Sequence, residues 1–336
     1  MFIEFYSSLN AIQRNLITEY IKSQEDKIQP YHYVCFAEVI ENSFHYKNLS
    51  LVAFDRHGKV IGYLPQWKKG KIIESIPWRD KGGPIYCDTK ILQRFIEKTK
   101  QLVSQYNCKG FIWKDFVTTY LDNYQYFTNI ELSLNNVTEK ILWQRIKNRR
   151  TIRQAIKNNL HFRIEPLTDN TIKNFYKLFL LTRKRLGVPV YREAFFFFLI
   201  KSLDEQHIKI FSVYSDDEIV ASMIVLQTPY KAIYAYGASN EKGFNLRAND
   251  FLMWNVILSC ILNGINTFDF GADSPLQETL LRFKKKWSGQ ARTIATSYYG
   301  NVRELDHHNT KYKYISVIFR LMPLTIYKAA SHILFR

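Results

Sequence analysis

The sequence predicts an α/β (α+β) protein made by tandem duplication of one mixed-sheet unit with flanking helices. Three observations carry that prediction. Residues 51–66, LVAFDRHGKVIGYLPQ, place two alternating apolar runs around a polar turn at 55–58, the pattern of a β-hairpin. Residues 211–227, FSVYSDDEIVASMIVLQ, repeat it around a turn at 215–218. Each hairpin is then followed by a segment of helical periodicity and a short strand: 90–106 with 110–113, and 247–263 with 267–270. The spacing is nearly constant. Asp216 follows Asp55 by 161 residues, Ala221 follows Gly62 by 159, and Asn263 follows Asn107 by 156. Unrelated domains have no reason to keep one order of elements at one spacing.

Each copy therefore runs helix, β-hairpin, further strand, helix, strand. The final strand–helix–strand is a crossover, so its two strands, 232–237 and 267–270 in the second copy, are expected to be parallel with a right-handed connection. The polar stretch LDNYQYFTNIELSLNN between apolar segments marks a boundary near 118–137. The expected domains are 1–128, 129–302 and a helical tail at 303–336. Between the hairpins, Asn136-Val-Thr-Glu139 reads as a capping box opening a helix to about Asn159. Helices at 168–186 and 192–203 are separated by Gly187 and Pro189. Ligands of open α/β sheets bind beyond the carboxyl ends of the strands where strand order reverses. That points to Tyr236, Gly237, the loop through Gly243, and residues 269–273.

Hydrophobic residues make up 46% of the 336 and aromatics 15%, enough apolar surface for packed cores rather than a disordered chain. A net charge of +17 attracts polyanions without choosing among nucleic acid, phosphorylated small molecules and anionic lipid. Cys35, Cys87, Cys108 and Cys260 stand far apart, the usage of small buried side chains in a reducing compartment. The N-terminal MFIEFYSSLNAIQ carries Glu4 and no basic segment, so no secretory signal is expected, and no uncharged apolar stretch is long enough to span a bilayer. The expected location is the cytoplasm. The eight histidines show no metal-ligand spacing.

NRRTIRQAIKNN, TRKRLGVPVYREAF, DDEIVASMIVLQ, YAYGASN, LRANDFLMWNVI, NTFDFGADS and LRFKKKWSG follow one another in the second half, and DRHGKVIGYLP and ESIPWRDKGGPIY in the first. In this order they resemble the FemAB-like branch of the GNAT acyltransferase superfamily, which includes peptidoglycan bridge-forming aminoacyl transferases and acetyltransferase-like relatives. The likeness runs over roughly residues 30–300 and implies two GNAT-like domains, the second catalytic. Two departures stand out. No long charged coiled-coil arm is present, and the segment matching the pyrophosphate loop of simple GNAT enzymes, Asn240-Glu-Lys-Gly243-Phe-Asn245, is degenerate. Both donors, acyl-CoA and aminoacyl-tRNA, stay open; no metal is implied.

Acyl transfer to an amine needs a proton acceptor, oxyanion stabilisation and a grip on the donor. It needs no protein nucleophile, because aligned substrates react directly; no GxSxG, Cys/His or GxxxxGK motif occurs. The resemblance puts Lys284, of the Phe283-Lys284 pair, beside the reacting acyl group; its alternative is a solvated basic turn. Tyr234 and Tyr236, two apart on a strand, are expected on one face, where a phenol can protonate a leaving group or simply pack. Asp269 at a strand end can serve as a base or shape an Asp-x-Gly turn. Residues 140–157 hold seven cations (Lys140, Arg145, Lys147, Arg149, Arg150, Arg153, Lys157) opposite an apolar stripe. They form either a solvated helix face or a phosphate-binding surface, which Arg183 and Arg185 can extend. The resemblance assigns this region to the acceptor, and Arg79, in the turn WRDKGGP, to acceptor binding; a surface turn is the alternative there. Tyr191 and Asn249 complete the expected substrate-binding set.

The expected function is transfer of an acyl or aminoacyl group onto an amino group of a cell-envelope or surface-glycan precursor. The donor would enter near 236–245 and an anionic or phosphorylated acceptor would lie between the copies. Alternatives are an acyl-CoA-dependent N-acetyltransferase acting on another small amine, and a non-catalytic tRNA- or RNA-binding module. The apolar tail 314–335, interrupted by Arg320, Pro323 and Lys328, either packs on the core or makes a peripheral contact with the inner membrane.

Overall fold

The computed structural model describes residues 1–24, 27–116, 118, 120–121, 123–274, 277–302 and 310–334. The chain folds as two compact units, residues 1–128 with 293–305, and residues 129–292 with 306–336.

The first unit opens with β1 (Phe2–Phe5), α1 (Ala11–Lys22) and α2 (Val34–Phe44), followed by β2 (Lys47–Asn48). The expected hairpin is β3 (Leu51–Phe54) with β4 (Val60–Leu64), antiparallel from Leu51↔Leu64 to Phe54↔Val60. Its turn is fixed by the Asp55 carboxylate, which accepts the amides of His57 (2.8 Å) and Lys59 (3.0 Å). Next come β5 (Gln66–Lys69), β6 (Ile72–Ser75) and β7 (Ile85–Tyr86), then α3 (Thr89–Gln105) and β8 (Gly110–Trp113). β6 and β8 are parallel, Ile73 opposite Phe111, and α3 is the crossover between them. Its apolar stripe, Ile91, Leu92, Phe95, Ile96 and Leu102, is buried with Leu51, Leu64, Phe111 and Trp113.

Next in the chain is β9 (Asn123–Ser133). The second unit continues with α4 (Glu139–Arg145), α5 (Arg149–Lys157), β10 (Leu160–Glu165), α6 (Asp169–Leu186) and α7 (Glu193–Ser202). The second hairpin, β11 (Ile208–Ser215) with β12 (Glu218–Gln227), is followed by β13 (Lys231–Ser239), α8 (Glu241–Asn245), α9 (Ala248–Leu262) and β14 (Thr267–Asp273). Strands β10 to β13 are antiparallel neighbours in chain order, whereas β14 runs parallel to β13, as the crossover rule requires. After α10 (Glu278–Lys285) and β15 (Gln290–Gly300), the chain ends in α11 (Thr310–Leu321) and α12 (Leu324–Leu334).

The duplication extends to the caps of the crossover helices. After α3, Asn107 takes φ 48° and the Cys108 amide bonds the Val103 carbonyl at 2.8 Å. After α9, Gly264 takes φ 72° and the Ile265 amide bonds the Cys260 carbonyl at 3.0 Å. Both are left-handed helix stops of the same kind, each delivering the chain into a parallel strand.

Three local expectations are corrected. The helix expected to run to Asn159 is two helices. Ile146 is extended (ψ 149°), and the Lys147 amide bonds the Lys286 carbonyl at 2.8 Å instead of continuing the helix. The first of them is capped by Thr138, not Asn136. The stretch expected as a polar boundary is largely the strand β9, with Asn129, Ile130 and Leu132 buried. The end of β15, residues 297–300, pairs with β8 of the first unit, Ser297 opposite Trp113, so a strand C-terminal to all of the second unit's sheet is returned to the first.

Candidate functional site

The parallel ladder between β13 and β14 has three register pairs, Lys231↔Thr267, Ala232↔Phe268 and Ile233↔Asp269. Beyond them neither strand pairs with the other, and the carboxyl ends open a wedge, the place where such sheets bind ligands. β13 is also bulged: Ile224 and Val225, adjacent on β12, face Tyr236 and Tyr234, with Ala235 as the extra residue. A bulge interrupts the alternation of faces, so the expectation that the two tyrosines share a face is overturned. Tyr234 packs on the core that contains Leu252, Trp254 and Phe268, and burial pushes its phenol up to about 12. Tyr236 sits among Phe179, Tyr191, Phe195 and Phe196, with ring centroids 5.1–6.0 Å away.

On the other side of the wedge, Asp269, Gly271 and Asp273 fall at alternate positions of β14. The Asp269 side chain is fully buried; one oxygen accepts the Gly271 amide at 2.8 Å, and the other lies 3.9 Å from the Lys231 ammonium. This holds Gly271 at φ 79°, a conformation open to glycine at little cost. The Gly271 carbonyl accepts from the Lys284 ammonium at 2.9 Å, and Asp273 pairs with the same ammonium at 2.6 Å. Lys284 is 5% exposed, whereas Lys285 and Lys286 are exposed. Leu281, Lys284 and Trp287 share the buried side of α10 and its end, which separates Lys284 from its two neighbours. A lysine has three donors. Among the described residues Lys284 gives one to the Gly271 carbonyl and ion-pairs with the Asp273 carboxylate, which leaves donor capacity for a developing oxyanion.

The segment corresponding to a pyrophosphate loop is folded on itself. Asn240 caps the Gly243 amide at 2.8 Å, and the amides of Phe244, Leu246 and Arg247 bond local carbonyls. A Cβ at Gly243 would stand 2.2 Å from the Val220 carbonyl oxygen. In the first turn of α9, Asp250 accepts from Asn148 at 2.9 Å; burial raises its pKa, an effect that this hydrogen bond opposes. A carboxylate at a helix N-terminus competes with phosphate for the same positive end.

The other expected residues are not all gathered at Lys284. Asn249 donates to Ser239 Oγ at 3.0 Å, tying α9 to the end of β13. Phe283 is half-buried against the core. Arg183 is committed to the fold: Nε and Nη2 donate to the Pro189 carbonyl at 3.0 and 2.9 Å, and burial lowers its pKa. Arg150 and Arg185 are exposed, and so is Arg153, whose guanidinium stands 5.4 Å from the Trp143 ring centroid. A base role for Asp269 does not fit its geometry, since a carboxylate with no exposed surface and a bond to its own turn has no path to an incoming amine. Two features escaped the sequence reading: Asp273 as the partner of Lys284, and the backbone bond from Lys147 to Lys286. The first was signalled by the alternation 269, 271, 273; the second was hidden because it is tertiary.

Arg79 lies in the first unit, and its turn is not a surface turn. Arg79, Lys81, Gly82 and Gly83 are all buried. Beside them is a cavity of about 360 Å³, lined by Lys27, Gln29, His32, Gly82, Gly83 and Asp115, among others. His32 Nδ1 accepts the Gln29 amide at 2.9 Å, so Nε2 carries the proton and donates to the Gly83 carbonyl, also at 2.9 Å. Gln29 Oε1 is buried without a partner among the described residues.

Residues 146–285 match the family model described as an acetyltransferase (GNAT) domain. No curated protein matches the sequence. Among solved structures, FemX aligns with a TM-score of 0.64 at 12% identity, covering 94% of this chain and all of that one. The C-terminal domain of a putative lysylphosphatidylglycerol synthetase from Agrobacterium fabrum gives 0.57 at 11%, covering 87% and 93%. A tandem GNAT protein from the clavulanic acid biosynthesis pathway gives 0.56 at 8%, covering 90% and 100%. The matched region and the shared fold support an acyltransferase whose GNAT-type domain lies within residues 146–285. The fold of the chain as a whole is similar to that of FemX and of the tandem GNAT protein, the likeness expected of the FemAB-like branch.

Proposed function

We propose that the protein transfers an aminoacyl or acyl group from an activated donor to an amino group of an anionic cell-envelope or surface-glycan precursor. The observation that carries this reading is Lys284, an ammonium buried at the end of a strand wedge, held by the Gly271 carbonyl and paired with Asp273. The amine attacks the donor's carbonyl carbon, a C–N bond forms, and the oxyanion accepts from Lys284. Collapse breaks the bond to the leaving oxygen or sulfur, and the amine's proton passes to that leaving group. Asp269 and Asp273 act as positioning residues, the first through the Gly271 turn and the second by direct pairing.

Aminoacyl-tRNA is favoured as donor. Lys284 continues into exposed Lys285 and Lys286, and the Lys286 carbonyl is bonded by Lys147 at 2.8 Å, next to the basic face of α5. A polyanion lying on that face would bring its end toward Lys284. The self-bonded segment 240–247 supplies few amides for a pyrophosphate. An acyl-CoA donor is the second reading, favoured by the acetyltransferase domain match.

The test offers charged tRNA and a panel of acyl-CoAs with nucleotide-linked amino sugars and reads acceptor mass. One donor should give a mass gain, and Lys284→Met should slow it by about 10²–10³-fold while the acceptor's thermal shift persists. Unchanged transfer in K284M removes the site assignment. No transfer from any donor, alongside salt-dependent tRNA binding, replaces the enzyme reading with a binding module.

A further inference from the structure

The two C-terminal helices are anchored to the second unit through one side only. Tyr327 is fully buried and donates to the Val188 carbonyl at 2.7 Å. Phe319 packs edge-on against it at 5.6 Å, and Lys184 donates to the Arg320 carbonyl at 2.8 Å. The opposite side is apolar and open. On α11 the exposed residues include Ile315, Val317, Ile318 and Leu321; on α12 they include Ile326, Ala329, Ile333 and Leu334. Between residues 315 and 334, all of them described, Arg320 and Thr325 are the only exposed polar side chains. Neither helix is long enough to cross a bilayer, and no helix among the described residues is long and apolar enough to do so.

We propose that this pair of helices is a docking surface for an anionic lipid bilayer, its exposed apolar face entering the headgroup boundary. Charge selects the occupant. Residues 310–336 contain Lys311, Lys313, Arg320, Lys328 and Arg336 and no Asp or Glu. A second copy docking through the same patch would set cations against cations, because a two-fold interface is self-complementary. A bilayer carrying anionic headgroups matches both the apolar face and the wholly basic charge of the tail's sequence. Docking of this kind is independent of acyl transfer, and its test reads binding, not turnover.

The full chain is sedimented with phosphatidylcholine vesicles with and without about 30% phosphatidylglycerol, a composition chosen for charge. The expected result is binding to the anionic vesicles that weakens with salt, and much weaker binding to neutral ones. Ile318→Glu with Ile326→Glu, both exposed and outside the core, should reduce anionic-vesicle binding about tenfold or more with circular dichroism and melting unchanged. Arg149→Glu with Arg153→Glu, on the other basic surface, should leave most of it. A wild-type chain that stays in solution, an I318E/I326E variant that binds equally well, or loss of binding only in the α5 variant overturns the proposal. So does a concentration-dependent dimer that I318E/I326E dissolves while vesicles bind neither protein.

Discussion

Gly271 and Asp273 take the place of the water that the Lys284 side chain loses on burial, and a donor held this way needs no rearrangement when an oxyanion forms. His32 shows the opposite accommodation. Burial pushes its pKa below the ordinary 6.5, the backbone bonds at Gly83 and Gln29 only partly opposing this, so the folded protein holds it neutral. In the unfolded chain it protonates near 6.5. Stability linked to His32 is therefore complete above that pH and is lost as pH falls toward the folded value, at up to about 1.4 kcal/mol per pH unit. Melting temperature measured from pH 7.5 to 5.5 should drop more for the wild type than for His32→Asn; equal slopes would show that another group governs acid sensitivity. The lysine was legible as one of three, 284 to 286, singled out by the Phe283-Lys284 pair of the resemblance. His32 gave no signal, because its partners are backbone atoms, one of them in a segment distant in sequence.

At the scale of elements, hairpins and crossover helices were readable because their signals are local: alternation, helical period, turn residues. What the pattern missed are the places where a tertiary bond overrides it. The bulge at Ala235 separates Tyr234 from Tyr236, and Lys147 leaves the helical path to bond Lys286. Gly243 marks a third such place. Its φ lies outside the left-handed region, yet the Val220 carbonyl leaves no room for a methyl group. Gly243→Ala should cost about 1–3 kcal/mol by overpacking, seen as a lower midpoint in urea with unchanged slope; a midpoint within error of wild type would show that α8 yields freely.

For the whole molecule, the net charge of +17 becomes specific only where the fold concentrates it. The exposed cations of α5 predict tRNA binding whose log K falls linearly with log salt. Arg149→Glu with Arg153→Glu should flatten that dependence by about one unit for each phosphate no longer neutralised, measured by filter binding at low and at physiological salt. An unchanged slope would place the polyanion elsewhere. The sequence by itself determined the duplication, the element order and the parallel crossover, because those depend on periodicity and spacing along one chain; the acyltransferase likeness came from the resemblance of its motifs. The tertiary structure alone decided that Lys284 is the buried lysine of its run, that Asp269 shapes a turn, and that the last strand returns to the first unit. It also decided that the tail turns an apolar face outward. Burial and pairing are set by residues brought together from distant positions, and a linear pattern carries no record of that meeting.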